Sequence, residues 1–172
     1  KETARVLAMR GAHVIAAART VEKARAACDE VGGETTPVAC ELPDPASVKA
    51  CVAQVEELGR PLSAIICNAG IMALPKLNLQ HGYELQFFTN HIGHFLLVTS
   101  LLDQLADDGR IVMVSSGAHN GAPKAGIQFD NLDCKRGYHP WANYGQSKLA
   151  NLLFANALAK RLQGTGKTAN SL

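Results

Sequence analysis

Apolar residues fall along this chain in two rhythms that take turns. Short, nearly continuous apolar runs read as strands covered on both faces. Between them stand longer segments in which apolar residues return every three or four positions, as on one side of a helix. Thr3–Arg10 has helical spacing, with Val6, Leu7 and Ala8 apolar, and stops at Gly11, a residue suited to a helix C-terminus. His13–Ala18 follows as a buried strand. Thr20 stands where it can cap a helix over Val21–Val31 that ends at Gly32-Gly33, and Pro37–Leu42 is a second short strand. Asp44-Pro45 sets a capping side chain ahead of a proline at the first helical position and predicts a helix through Leu58. Gly59-Arg60-Pro61 turns the chain into a buried strand at Ser63–Cys67, and a long helix is expected over His81–Leu105. Asp107-Asp108-Gly109 reads as a turn before a strand at Arg110–Ser115. The polar stretch Gly117–Pro140 has weak periodicity and reads as a loop able to line a site. A helix over Ala142–Leu162 and the start of a strand at Thr168–Leu172 complete the chain.

Helix and strand alternate throughout, which predicts βαβ units: an α/β fold with a doubly wound parallel sheet and helices on both faces. The length of 172 residues suits a single domain over 1–172, and 47% hydrophobic content supplies its core.

Composition narrows the function classes. A formal net charge of +2, from scattered basic residues, argues against nucleic acid or an anionic membrane surface as partner. Aromatics make up 5% of the chain, too few for a platform on which bases stack. No apolar run approaches the roughly 18 residues of a membrane span. The cysteines Cys28, Cys40, Cys51, Cys67 and Cys134 are odd in number and widely spaced, with no CxxC pair, so free or buried thiols in a reducing compartment are expected. No targeting segment is visible, and the opening residues read as a chain entered in mid-helix.

Four places carry chemistry. Tyr144-Gly-Gln-Ser-Lys148 puts a phenol and an ammonium one turn apart on one helix face, where the cation favours the phenolate and prepares a general base. By itself the pattern equally describes a surface helix with an exposed aromatic and a solvated charge. Ser116 ends a buried strand, the place where open α/β sheets bind ligands, and can donate a hydrogen bond to a substrate oxygen; it can also simply cap a turn. In Ala64-Ile-Ile-Cys-Asn-Ala-Gly70 a strand runs into the small-residue turn Asn68, Ala69, Gly70, which admits a flat ligand or is only a strand-to-helix turn. Asn90 is a poor interior residue for the helix predicted around it, and marks a solvated position, a kink or an internal water site. His91 and His94 lack an adjacent cysteine or carboxylate, so they read as structural histidines and no metal site is expected.

In this order the four places resemble the short-chain dehydrogenase/reductase family, through Cys67-Asn-Ala-Gly70 (Asn-Asn-Ala-Gly in the family), Asn90, Ser116, and Tyr144 with Lys148. Gly11-Ala-His-Val14 leading into a strand, and Glu41-Leu42 in place of the family's Asp-Leu at the adenine, extend the resemblance over the whole chain. It implies a Rossmann-like fold and a catalytic set of Asn90, Ser116, Tyr144 and Lys148. Tyr144 would move the proton of the alcohol or carbonyl oxygen, and Lys148 would assist it and bind the nicotinamide ribose. Ser116 would polarise the substrate, and Asn90 would hold a water linking Lys148 to solvent. Cofactor contacts are expected from Arg19, Glu41, Leu42, Asn68, Ala69, Gly70, Tyr144 and Lys148. At the end of the second family strand stands Ala18 in place of the carboxylate that binds the 2′-hydroxyl of NAD(H), followed by Arg19, whose guanidinium suits a 2′-phosphate. NADP(H) is therefore expected, although Arg19 also reads as an ordinary strand-end charge.

Phe88-Thr-Asn-His-Ile-Gly-His-Phe95, the long Ser116-to-Tyr144 loop and Tyr144–Leu153 look like the retinol-dehydrogenase-like branch. Within it, Tyr144–Asn151 and the closing Thr168-Ala-Asn-Ser-Leu172 are most similar to plant members at the chloroplast inner envelope associated with the import translocon. That implies a small-molecule alcohol or carbonyl substrate and a location in the chloroplast envelope or stroma, with the cytoplasm as the other reducing compartment. Helix Ala142–Leu162 would add a homodimer contact. The family's first strand with its glycine-rich pyrophosphate loop would precede Lys1, and its Pro-Gly turn and substrate lid would follow Leu172. The sheet is thus expected to be incomplete, and the 172 residues by themselves inactive. Two readings compete with an active enzyme: a redox-sensing NADP(H)-binding regulator or scaffold with vestigial catalysis, and an inactive truncated product.

Overall fold

The computed structural model describes all 172 residues, which fall into two compact units, Lys1–Gly59 and Arg60–Leu172. In the first unit, α1 (Glu2–Met9) leads into β1 (Val14–Ala18), α2 (Val21–Val31), β2 (Thr35–Ala39) and α3 (Pro45–Glu57). Strands β1 and β2 are parallel, with Val14 opposite Thr35 and Ala18 opposite Ala39. Helix ends lie where the capping residues place them. Thr20 Oγ1 accepts from the Lys23 N–H, and Asp44 Oδ1 accepts from the Ala46 N–H at 2.9 Å. Gly11, with φ of 84°, takes the left-handed conformation after α1. Ala24, Cys28, Val38, Val48 and Cys51 form this unit's core. The second strand is Thr35–Ala39 rather than Pro37–Leu42. Pro37 lies inside it, which an edge strand tolerates, and Glu41 and Leu42 fall in the turn that follows.

In the second unit β3 (Leu62–Cys67), β6 (Leu105–Met113) and β7 (Thr168–Ser171) form a parallel sheet with β6 at its centre. A short antiparallel hairpin, β4 (Leu79–Gln80) with β5 (Tyr83–Glu84), stands before a helical stretch made of α4 (Leu85–Phe87), a π-helical turn (Phe88–Ile92) and α5 (Gly93–Ser100). Helix α6 (Pro140–Arg161) packs on β6 and β7. Ile111, Met113, Val98 and Ala155 are this unit's innermost apolar residues.

Three further expectations are corrected. The helix expected from His81 begins at Leu85, because His81 and Gly82, both at positive φ, turn the hairpin. Its far end is Ser100, since Leu102–Gln104 tighten into a 3-10 turn. Asp107-Asp108-Gly109 lies within β6, where pairing jumps from Leu62–Leu105 to Ala64–Arg110; a Cβ on Gly109 would meet the Leu105 side chain at 2.5 Å. Nor are β1 and β3 covered on both faces: Ala17, Ser63, Ala64 and Ile66 are exposed, and each strand hydrogen-bonds to a single neighbour, β2 and β6 respectively. The parallel α/β plan is as the alternation required, and the sheet is incomplete as the resemblance implied.

Candidate active site

The carboxyl end of β6 gathers the second unit's polar side chains. After Met113 the chain continues extended: the Val114 N–H donates to the Cys67 carbonyl at 3.0 Å, and the Ser115 N–H to the Leu172 carbonyl at 2.7 Å. Val114 turns its carbonyl toward α6, where it accepts from Lys148 Nζ at 2.9 Å and from Asn151 Nδ2 at 3.3 Å. Ser115 Oγ donates to the Lys148 carbonyl at 2.8 Å. Both sides of this helical turn are thereby held to the strand end. Ser116 lies just beyond, extended in backbone, its Oγ accepting from the Ala118 N–H at 3.2 Å. The capping role is realised, and the same serine still lines the cavity described below.

Tyr144 and Lys148 share the buried face of α6, with Nζ 5.7 Å from the centroid of the phenol ring. Burial lowers the Lys148 pKa below the usual ammonium range. The ring of Trp141, one turn earlier and exposed, stands edge-on to Tyr144 at 6.1 Å. Behind Tyr144, Gly145 permits a close approach: a Cβ there would lie 2.5 Å from the Ala118 carbonyl oxygen.

Asn90 occupies the π-helical turn and is wholly buried. Its Oδ1 accepts from the Ile71 N–H at 2.8 Å, while its Nδ2 donates to the Ile71 carbonyl and to Ser147 Oγ, each at 2.9 Å. Of the readings open to a mid-helix asparagine, the structure realises the irregular helix. The Asn90 carbonyl accepts from His94 Nδ1 at 2.9 Å, and His91 Nδ1 donates to Asn151 Oδ1 at 3.2 Å. Burial pushes the His94 pKa down to about 4 and lowers that of His91.

Asn68, Ala69 and Gly70 are exposed after β3. A cavity of about 260 Å³ opens beside them, lined also by Ile71, Met72, Val114, Ser115, Ser116, Tyr144 and Lys148. A Cβ added to Gly70 would lie 2.9 Å from Asn90 Oδ1 and 3.8 Å from Lys148 Nζ. Cys67, in place of the family's first asparagine, is buried, and desolvation pushes its thiol up to about 12. A larger cavity, about 340 Å³, opens between α6 and the polar stretch Gly117–Pro140, among Gln128, Tyr138, Asn143 and Gln146; the loop expected to line a site lines this one, and none of the candidate catalytic or cofactor residues does. Arg19, Glu41 and Leu42 belong to the first unit: Arg19 is exposed after β1, Glu41 is exposed with its N–H on Ser47 Oγ at 2.9 Å, and Leu42 is buried.

The model of the short chain dehydrogenase family matches residues 1–172, and the order of the motifs agrees with it. The chain belongs to the short-chain dehydrogenase family. Among these oxidoreductases it is 42% identical over 185 residues to short-chain dehydrogenase TIC 32 B, chloroplastic, of Brassica napus, covering 99% of this chain and 58% of that protein. It is 40% identical over 180 residues to human retinol dehydrogenase 13, covering 100% of this chain and 54% of that protein. The retinol-dehydrogenase-like branch and its chloroplast members are thus the ones expected from sequence. The chain spans little more than half the length of these curated relatives. An uncharacterised Mycobacterium paratuberculosis protein of known structure superimposes with a TM-score of 0.88 at 40% identity, over 99% of this chain and 61% of that one. A metagenomic short-chain oxidoreductase in complex with NADP gives 0.74 at 25% identity, over 98% and 72%. No helix is long and apolar enough to cross a membrane.

Sequence reasoning missed Ser115, Ser147 and Asn151. The last two lie three and seven positions after Tyr144, hence on the face it shares with Lys148, and that spacing was the available signal.

Proposed function

We propose that the gene product carrying these residues is an NADP(H)-dependent oxidoreductase acting on an alcohol or carbonyl compound. The observation that carries this reading is the convergence of Ser116, Tyr144 and Lys148 on one cavity beside the exposed Asn68–Gly70 turn. The cofactor fits the residues present: the cavity beside the exposed Asn68–Gly70 turn is walled by Tyr144 and Lys148, and only glycine at position 70 lets that turn lie against the Asn90 amide, where a Cβ would come within 2.9 Å of Oδ1. Asn68, Ala69, Gly70, Tyr144 and Lys148 would hold the nicotinamide end, Glu41 and Leu42 the adenine, and Arg19 the 2′-phosphate. When bound, the nicotinamide supplies or accepts the hydride.

The chain's own groups do the rest. Tyr144 gives its phenolic proton to a carbonyl oxygen during reduction, or takes it from an alcohol during oxidation. Ser116 donates a hydrogen bond to the same oxygen and holds it before Tyr144. Lys148 Nζ, 5.7 Å from the Tyr144 ring centroid and on the same wall of the cavity, would hold the nicotinamide ribose. The short-chain oxidoreductase solved with NADP supports the choice of cofactor, as do Ala18 and Arg19 at the end of β1.

The test follows the loss of NADPH absorbance with a panel of aldehydes and ketones. Turnover is expected from the complete gene product, and Tyr144→Phe is expected to abolish it while NADPH still binds. Unchanged turnover in Tyr144→Phe would take Tyr144 out of the mechanism. NADPH binding with no turnover of any carbonyl would instead favour a redox-sensing regulator. Ala18→Asp with Arg19→Ala is expected to turn the preference toward NADH, and an unchanged preference would remove Arg19 from the cofactor site.

A further inference from the structure

We propose that Ser147 is a positioning residue that fixes the Tyr144 turn against the Ile71 peptide through Asn90. The inference rests on the oxidoreductase reading above and adds to it a residue for which no role has been given. Ser147 is wholly buried between Tyr144 and Lys148 in sequence. Its Oγ donates to the Tyr144 carbonyl at 2.7 Å and accepts from Asn90 Nδ2 at 2.9 Å. The directions of these bonds are settled by chemistry. A carbonyl only accepts, so the Ser147 hydroxyl proton points to Tyr144, and the remaining lone pairs face Asn90. Asn90 Oδ1 takes the Ile71 N–H, which leaves Nδ2 as donor to both the Ile71 carbonyl and Ser147.

Both amide protons of Asn90 and its oxygen are therefore spent on Ile71 and Ser147. The side chain acts as a cross-link from the peptide that follows the Asn68–Gly70 turn to the helical turn that bears the general acid. Ser147 is the only side-chain bridge on that route, and it ends on the backbone of Tyr144 itself. Removing its hydroxyl cuts the link through Asn90 between the Tyr144 turn and the Ile71 peptide, and it touches no group that meets substrate or cofactor. The bonds of Lys148 to Val114 and Ser115 still hold the helix to the strand end. Small displacements of this kind lower the rate of chemistry more than they lower binding.

The test uses the complete gene product with Ser147→Ala, Asn90→Ala and the double variant. Val98→Ala, a wholly buried apolar change on α5, serves as a stability control. Alanine suits a helix interior at least as well as serine, so Ser147→Ala folds. Its kcat is expected to fall about tenfold, with the KM for NADPH within about twofold of the unsubstituted protein. Adding Ser147→Ala to Asn90→Ala is expected to change neither kcat nor the thermal midpoint further, because one link is broken once. Val98→Ala is expected to lower the thermal midpoint and leave kcat in place. An unsubstituted kcat in Ser147→Ala, or effects that multiply with those of Asn90→Ala, would overturn the proposal. Should the unsubstituted protein reduce no carbonyl, the oxidoreductase reading falls, and the unfolding cycle decides alone: additive midpoints then overturn the link between Ser147 and Asn90.

Discussion

Gly70 and His94 show how narrowly single residues are constrained around the site. A methyl group on Gly70 would lie 2.9 Å from Asn90 Oδ1, so Gly70→Ala must displace either the turn or the amide that holds Ile71. We expect it to weaken NADPH binding at least about tenfold, measured by NADPH fluorescence, since a shift here moves the exposed turn itself. His94 is neutral and buried, and its pKa of about 4 lies below the ordinary value of 6.5. The unfolded chain takes up this proton first, so stability present above the ordinary value is lost as pH falls from there through 4. Between pH 7 and pH 5 the loss from this residue is about 2 kcal/mol, readable by urea unfolding, and His94→Gln should remove that slope. Tyr144, Lys148 and Ser116 were legible in the sequence because motif spacing and strand position are properties of the sequence. The partners of His94 and Asn90 were not, because a π-helical turn shifts which groups meet and leaves no mark in the spacing.

Helix ends give the clearest predictions at the scale of elements. Asp44 caps α3 from an exposed position, whereas the buried Glu84 accepts from the Gln86 and Phe87 N–H groups at 3.0 Å each, at the start of the stretch that carries Asn90. Asp44→Ala should cost about 1 kcal/mol of stability and leave turnover alone. Glu84→Ala should cost about 2 kcal/mol, because two buried donors lose their acceptor, and should lower kcat as well. Equal activity in the two variants would separate the cap at Glu84 from the site. The caps at Thr20 and Asp44 could be read from sequence, since a polar side chain before an apolar period has one local use. Glu84 could not, because its function depends on the hairpin that ends β5, and a two-residue strand pair has too few positions to show alternation.

At the scale of the whole molecule, the parallel α/β plan was legible from the alternation of elements. The missing neighbours of β1 and β3 followed from the resemblance; the exposure of Ala17, Ser63, Ala64 and Ile66 did not, because coverage of a strand's faces depends on what packs on it and not on its own residues. Since β1 bonds only to β2 and β3 only to β6, the 172 residues produced by themselves should unfold gradually on heating and gain nothing from NADPH. A sharp calorimetric transition raised by NADPH would contradict this. None of the five cysteines is in a disulfide and all five are buried, and this turns them into a clock. A thiol out of reach is alkylated only when the structure around it opens, so each labelling rate measures the frequency of a local opening. Cys28, Cys40 and Cys51 belong to the first unit, and Cys67 and Cys134 to the second. Mass spectrometry of the labelled peptides would time the two units separately in one sample. Matching rates would mean that the chain opens all at once, and two groups of rates would show which unit lets go first.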